Sequence, residues 1–441
     1  MKLLLISLGC DKNLVDSEHM LSLLAADGIE LTQEEEEAEI IIVNSCCFIS
    51  DAMEESIQTV IDMGKLKQTA HLKYLLLTGC LAERYAEEIK KELPEVDAIV
   101  GTNSYGSIVE ALHQVMEGEK PCILREHSFL PDISQTGRLL STGGHYAYLK
   151  IAEGCDKRCT YCVIPSIRGS YRSYPLHMLL EEAEQLAKQG VQELILVAQE
   201  TTLYGVDLYR RKSLPKLLEQ LSELEGIRWI RLQYCYPEEI DDELIEVMAR
   251  NPKICHYIDM PIQHADDEIL HRMGRKTSRQ DICDKVRKLR EAMPDICIRT
   301  TLICGFPGET DEAHKELLDF VSEMKFDRLG CFAYSRQEGT PAATFSHQVP
   351  EEKKQLWIEE IMERQQQISS DKNREWIGKT MEVFVEGRIV EEDVYVARSY
   401  RDAPDVDGMV FVSSPRELIS GEFVTVRITG SSEYDLIGEL L

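Results

Sequence analysis

At 441 residues the chain is long enough for two or three domains, and its 43% hydrophobic content supports packed cores. No run approaches the ~20 apolar residues of a membrane span, and a formal charge of −29 argues against direct nucleic-acid binding and in favour of a basic partner. The apolar start Met1–Ile6 is shorter than the ~7–15 residues of a secretory core, so the 14 cysteines are expected in a reducing, cytoplasmic setting where thiols bind metal or do chemistry.

Lys2–Leu8, Ile40–Asn44, Lys73–Thr78 and Ala98–Gly101 read as strands. They alternate with helices near Asn13–Ala26, Asp51–Gly64 and Ala82–Leu93, the pattern of an open parallel α/β sheet over residues 1–127. The run Glu34–Glu37 reads as a solvated turn. Residues 128–145 are polar and glycine-bearing (Pro131, Ser134, Gly137, Gly143, Gly144) and read as a linker. A second series spans 146–350, with strands at Tyr146–Ile151, Glu193–Gln199, Trp229–Gln233, Tyr257–Pro261, Cys297–Ile303 and Arg328–Tyr334. Helices such as Leu179–Gly190 and Arg279–Ala292 separate them, so the expected architecture is a partial (βα)6 barrel with its site at the strands' C-terminal ends. Glu351–Ile377 reads as a connecting helix, with Trp357 and Ile361 at i, i+4. From 378 to 441 five short alternating strands predict a small closed OB-like β-barrel. Cys122, Cys283 and Cys297 read as small core residues, and Glu238, Glu239, Asp241, Asp242 and Glu243 as a solvated helix start.

Cys155, Cys159 and Cys162 are spaced C-x3-C-x2-C directly after the first strand of the second series. Three thiolates on one short loop suit three irons of a 4Fe-4S cube and leave the fourth without a protein ligand, open to chemistry. A zinc knuckle is the plain alternative, but a structural zinc site takes four ligands and no second C-x2-C pair lies nearby.

A second set is dispersed. Cys10, Cys46 and Cys80 each sit just past the end of a predicted parallel strand, preceded by Gly9, Ser45 and Gly79. Strand ends of an open α/β sheet share one edge, where ligands bind, so the three can converge on a second three-thiolate iron–sulfur site. The alternative is that they are ordinary buried strand-end cysteines. Cys47 competes with Cys46 as the middle ligand, and strand alternation does not choose between them.

The opening Ser7-Leu8-Gly9-Cys10-Asp11-Lys12-Asn13-Leu14-Val15-Asp16-Ser17-Glu18 resembles that of the methylthiotransferase family of radical S-adenosylmethionine (SAM) enzymes. So do the block Gly154–Pro165 with Arg168-Gly169, the turn Gly305-Phe306-Pro307-Gly308-Glu309-Thr310, and Gly339-Thr340-Pro341-Ala342-Ala343. The terminal barrel resembles the family's TRAM module. The resemblance implies two 4Fe-4S clusters and two SAM molecules. One SAM supplies a methyl group to sulfur at the auxiliary cluster; the other is split to a radical that takes hydrogen from the target carbon. It favours Cys46 over Cys47, and it implies SAM contacts near Gln199, Glu200, Gly305 and Glu309, each of which also has a purely structural reading. His264 reads as scaffold or as a group for a substrate carboxylate.

Within the family, Gln199-Glu200-Thr201-Thr202, Gln233-Tyr234-Cys235-Tyr236-Pro237 and Pro261-Ile262-Gln263-His264-Ala265 look RimO-like, the branch that modifies the β-carbon of an aspartate in small-subunit ribosomal protein twelve. Asp11 and Cys47 depart from that branch, which usually has Pro and often Gly there. The other branch, MiaB-like, acts on transfer RNA, and an iron–sulfur electron carrier is the non-enzymatic alternative. From Arg374 to Leu441 seven basic residues face fourteen acidic ones, a net of −7, which suits a cationic protein better than RNA. The sulfur and electron donors are not legible.

Overall fold

The computed structural model describes residues 1–132, 137–391 and 394–441; Ser134 of the expected linker lies outside the described residues. Six parallel strands form the first sheet: β1 (Lys2–Ser7), β2 (Glu30–Leu31), β3 (Ile40–Ser45), β4 (Tyr74–Gly79), β5 (Ala98–Val100) and β6 (Cys122–Ile123), in the order β2-β1-β3-β4-β5-β6. The run Ile40-Ile41-Ile42-Val43 is buried throughout because helices cover both faces of β3. Four strands were expected; the two extra ones are two-residue edge pairings too short to show periodicity. Cys122 is correspondingly a half-buried edge residue rather than a core one, and Cys283 is also half-buried, whereas Cys297 is fully enclosed. The helix expected over Ala82–Leu93 is two helices, Cys80–Arg84 and Ala86–Glu92, broken at Tyr85.

The chain then makes β7 (Tyr146–Lys150), a small hairpin of β8 (Ala152–Glu153) and β9 (Arg172–Ser173), and β10 (Glu193–Val197), β11 (Trp229–Leu232), β12 (Ile254–Asp259), β13 (Cys297–Cys304) and β14 (Arg328–Ala333). β7 and β10 to β14 form one parallel sheet, ordered β14-β13-β12-β11-β10-β7, the expected six-stranded open barrel. Its largest core lies between the strands and the outer helices, where Trp357 and Ile361 of helix Glu351–Arg374 are buried. The stretch expected as a linker does more than connect. Arg138 is buried in it and pairs with Glu18 at 2.6 Å and Glu182 at 2.9 Å, clamping the first sheet's opening helix, Asp11–Ala26, to the second unit.

β15 (Thr380–Ile389), β16 (Val394–Ser399), β17 (Val410–Ser413), β18 (Phe423–Ser431) and β19 (Leu436–Leu440) close the terminal barrel around Val383, Val410 and Val426. This barrel docks through buried charge. Glu193 accepts from Arg231 at 2.7 Å and faces Arg398 of β16 at 2.8 Å, while Arg328 reaches Asp402 at 2.5 Å. No helix among the described residues is long and apolar enough to cross a membrane.

Candidate active site at the mouth of the barrel sheet

β1, β3 and β4 are neighbours, so Cys10, Cys46 and Cys80 leave one edge side by side. A Cβ on Gly9 would fall 2.8 Å from the Cys46 sulfur, which places that sulfur against the residue preceding Cys10. Gly79 adopts φ +91°, and a Cβ there would meet Asn44 Oδ1 and the Ser45 carbonyl at 2.4 Å; only glycine lets β4 turn directly into a helix beginning at Cys80. Cys46 is held by Ser56, whose hydroxyl accepts from its N–H and donates to its carbonyl, both at 2.9 Å. Cys47 is fully buried in the apolar cluster beneath the strand end, which also takes in Cys80. Burial pushes the Cys80 thiol up to about 12 and Cys47 up to about 11, and also raises Cys46. Cys46, Cys10 and Cys47 each add to the rise at Cys80, as closely grouped thiols must.

Asn13 organises this edge. Its amide donates to the Leu8 and Ser45 carbonyls at 3.0 Å each, bracing the ends of β1 and β3, and its oxygen lies 4.0 Å from Cys80 Sγ. That oxygen accepts from Arg168 at 2.5 Å, and the same guanidinium comes within 3.6 Å of the Cys80 sulfur. Arg168 ends the short helix that follows the C-x3-C-x2-C loop. It is enclosed with Glu153 at 2.9 Å and Asp16 at 3.5 Å, and Lys150 completes a buried four-charge knot by pairing with both carboxylates. The surrounding positive charges hold Glu153 well below the usual carboxylate range despite its burial.

The Cys155–Cys162 loop is pinned on several sides. Gly154 at φ +78° sits where a Cβ would approach the Ser170 carbonyl to 2.3 Å. The Thr160 N–H donates to the Met273 carbonyl at 2.9 Å, and its own carbonyl accepts from Ala342 N at 2.9 Å. Lys157 bonds Glu239 at 2.5 Å, and Glu238 lies 3.6 Å from Arg275. Those two carboxylates of the supposed solvated fringe are therefore occupied with the loop and its support, a pairing no local pattern announces. Burial pushes Cys155 and Cys162 up to about 12. Each triad has two buried thiols and one half-buried one, Cys10 and Cys162, beside glycines that permit close backbone approach, a donor chemistry that fits iron–sulfur clusters.

Of the four expected SAM contacts, Gln199 donates to Glu153 at 2.8 Å, and its Oε1 has no protein partner among the described residues. Glu200 is fully buried; its Oε1 accepts from the Thr202 N–H at 2.9 Å, and burial pushes it up to about 7. Glu309 Oε2 accepts from Gly305 N at 2.6 Å and Phe306 N at 3.1 Å, fastening its own turn, and its side chain is 0% exposed. His264 is equally enclosed, with Nδ1 accepting from Asp266 N at 3.0 Å. Sequence reasoning missed Tyr234 and Gln263, non-glycine residues at φ +59° and +70° beside the ends of β11 and β12. Tyr234 meets the start of helix Asp11–Ala26 directly: its hydroxyl donates to Asp11 at 3.2 Å, and Lys12 Nζ lies 3.1 Å over its ring.

Three family profiles cover this arrangement in order: "Uncharacterized protein family UPF0004" over residues 2–101, "Radical SAM superfamily" over 149–321 and "TRAM domain" over 377–441. The chain is 54% identical over 438 residues to the ribosomal protein uS12 methylthiotransferase RimO of Lachnoclostridium phytofermentans, covering 99% of both chains. The chain belongs to the RimO family of methylthiotransferases. The RimO of Clostridioides difficile is 48% identical, with 100% of this chain and 99% of that one aligned. Among solved structures, the radical SAM methyltransferase TsrM from Kitasatospora setae superposes with a TM-score of 0.58 at 16% identity, covering 77% of this chain and 76% of that one. The radical SAM enzyme OxsB gives 0.53 at 12% identity, covering 78% and 54%. These two likenesses concern the fold alone.

Proposed function

We propose that this chain transfers a methylthio group to the β-carbon of an aspartate in ribosomal protein uS12, as a cytoplasmic radical-SAM enzyme with two 4Fe-4S clusters. The observation that carries the reading is Arg168, which follows one cysteine triad in sequence and touches Cys80 of the other in space, in a chain 54% identical to a protein named for that activity. Cys10, Cys46 and Cys80 would hold the auxiliary cluster, and Cys155, Cys159 and Cys162 the SAM-binding one. When bound, SAM would supply the methyl group and the hydrogen-abstracting radical, and the clusters would supply the cleaving electron and the place where sulfur is methylated.

The remaining tasks fall to the protein. Arg168 places a fixed positive charge beside Cys80, favouring its thiolate. The buried knot of Asp16, Lys150, Glu153 and Arg168 holds the two sheets together and excludes water between them. Gln199 offers an unengaged oxygen for SAM, while Glu200, Gly305 and Glu309 shape the wall beside it. We assign residues 1–127, 146–350 and 378–441 to three modules, joined by 128–145 and by helix 351–377. The acidic terminal barrel and the overall charge of −29 complement a basic ribosomal protein.

The test is anaerobic incubation of reconstituted protein with SAM, dithionite, sulfide and either uS12 or transfer RNA, followed by mass spectrometry of both. A methylthio group on a uS12 aspartate is expected. Methylthioadenosine in the RNA with uS12 unmodified would assign the MiaB-like activity instead, and absence of 5′-deoxyadenosine would leave only an electron carrier.

A further inference from the structure

The end of β13 presents its two faces to different surroundings. Ile303 packs with Tyr161 of the cysteine loop, Phe306 and Tyr334. Cys304, the next residue, points to the opposite face and joins the core under the outer helices with Leu317, Trp357 and Ile361. There its sulfur, a carboxylate oxygen of Glu309 and a ring nitrogen of His314 lie within 4.8 Å of one another, and all three residues are buried. Cys331 of β14 brings a second sulfur 3.3 Å from that of Cys304.

His314 decides what this set can take. Its Nε2 lies 2.8 Å from a carboxylate oxygen of Glu360, which only accepts, so Nε2 carries the ring proton. Nδ1 then presents a lone pair, 3.9 Å from Glu309 Oε1, and neither atom has a hydrogen-bond partner among the described residues. His264 Nε2, which carries the ring proton because Nδ1 accepts from Asp266, lies 3.3 Å from Glu309 Oε1 without making a hydrogen bond to it. The His314 ring is fixed in this pose by stacking on Trp357, with centroids 4.7 Å apart and planes inclined by 8°. A carboxylate oxygen, a ring nitrogen and two sulfurs gathered in one buried pocket form a donor set that suits a zinc-class cation, which would displace the thiol proton of Cys304.

We propose that Cys304, Glu309 and His314 bind a divalent ion of the zinc class, with Cys331 as the fourth ligand, on the helix-facing side of the barrel sheet. Ligand bonds of ~2.0–2.3 Å around a tetrahedral zinc imply donor spacings of roughly 3.3–3.8 Å, so adjustments of about 1 Å bring Cys304, Glu309 and His314 onto one ion, and Cys331, 3.3 Å from Cys304 but outside that set, joins by a larger side-chain movement. Glu360 supplies the carboxylate that orients a metal-bound imidazole through its other nitrogen. With four protein ligands the site is structural. It fastens β13 to β14 and to the start of helix Asp311–Met324, behind the turn whose amides Glu309 already gathers. None of its ligands belongs to either cysteine triad, although Glu309 also closes the turn assigned above to the SAM wall.

The experiment is zinc and iron quantification by plasma mass spectrometry on anaerobically prepared holoprotein, equilibrated with zinc and then passed over a chelating resin. Wild type is expected to retain about one zinc per chain, and Cys304→Ala and His314→Gln to lose it at least tenfold with iron unchanged. X-ray absorption at the zinc edge of wild type, which needs no variant to fold, should show a mixed sulfur and nitrogen/oxygen shell. A zinc-free wild type, equal zinc in wild type and variants, or an all-sulfur shell would each overturn the proposal; the first would mean that Glu309 and His314 share a proton, and the last that zinc had entered a cysteine triad.

Discussion

Arg168 donates to the side-chain oxygen of Asn13 at 2.5 Å, joining the cysteine-bearing edge of the first sheet to the segment that follows the second cysteine triad. Because Asn13 also braces Leu8 and Ser45, one guanidinium position sets the relation of both sites. Arg168→Ala leaves Asp16 and Glu153 with only Lys150 for compensation in a buried setting. Removing one partner of such a network costs about 3–5 kcal/mol. Denaturant unfolding should show that loss, and bound iron should fall, while Arg168→Lys recovers stability only in part because an ammonium cannot reach Asn13 and Glu153 together. An unchanged unfolding midpoint in the alanine variant would contradict this role.

Cys46 and Cys47 are adjacent but face different surroundings. Cys46 packs against Gly9, and Cys47 against the apolar core. Cys46→Ala is therefore expected to lose the auxiliary iron. Cys47→Ala should keep it and cost only about 1 kcal/mol from a small cavity. Iron content and thermal unfolding of the two variants check this directly, and the opposite pattern would make Cys47 the ligand.

Glu200 gives the fold a pH dependence of definite sign. Burial raises its carboxyl from 4.5 to about 7, so between those values the folded chain binds a proton that the unfolded chain releases. Stability from this group is complete below pH ~4.5 and is lost as pH rises to about 7, a change of about 3 kcal/mol. Glu200→Gln should abolish that slope in unfolding measured from pH 5 to 8; parallel profiles for variant and wild type would refute the assignment.

Docking of the terminal barrel depends on Glu193, the shared partner of Arg231 and Arg398. Glu193→Ala leaves buried Arg231 with only backbone acceptors and Arg398 with Glu386 as its remaining carboxylate, at a cost of about 3 kcal/mol. Limited proteolysis should then cut faster ahead of Thr380 and release the barrel, where the wild type resists. Equal cleavage rates would show that apolar contacts such as Trp229 with Phe384 and Phe423 suffice.

Much of this fold was legible because its elements carry local signals. Arg279–Ala292 is bounded as expected, since Ser278 and Asp281 form a reciprocal capping box, and each strand of the terminal barrel falls within a few residues of its alternating run. The strand-end positions of Cys10, Cys46 and Cys80 were legible for the same reason: three similar apolar runs end in the same way, and parallel sheets align such ends. What escaped is pairwise and distant. Asn13 and Arg168 meet across 155 positions and Arg138 and Glu18 across 120, and nothing around any of them marks its partner. Glu309 carried two readings, a SAM contact and a turn residue, and its Oε2 accepts from the Gly305 and Phe306 N–H groups of its own turn.

The central claim is that two separate cysteine triads hold two clusters at one mouth. Iron and sulfide quantification on reconstituted Cys10→Ala and Cys155→Ala tests it most directly. Each variant should retain about half the wild-type iron, with SAM cleavage surviving only in Cys10→Ala. Full iron in Cys10→Ala, or loss of all iron in either variant, would contradict the account.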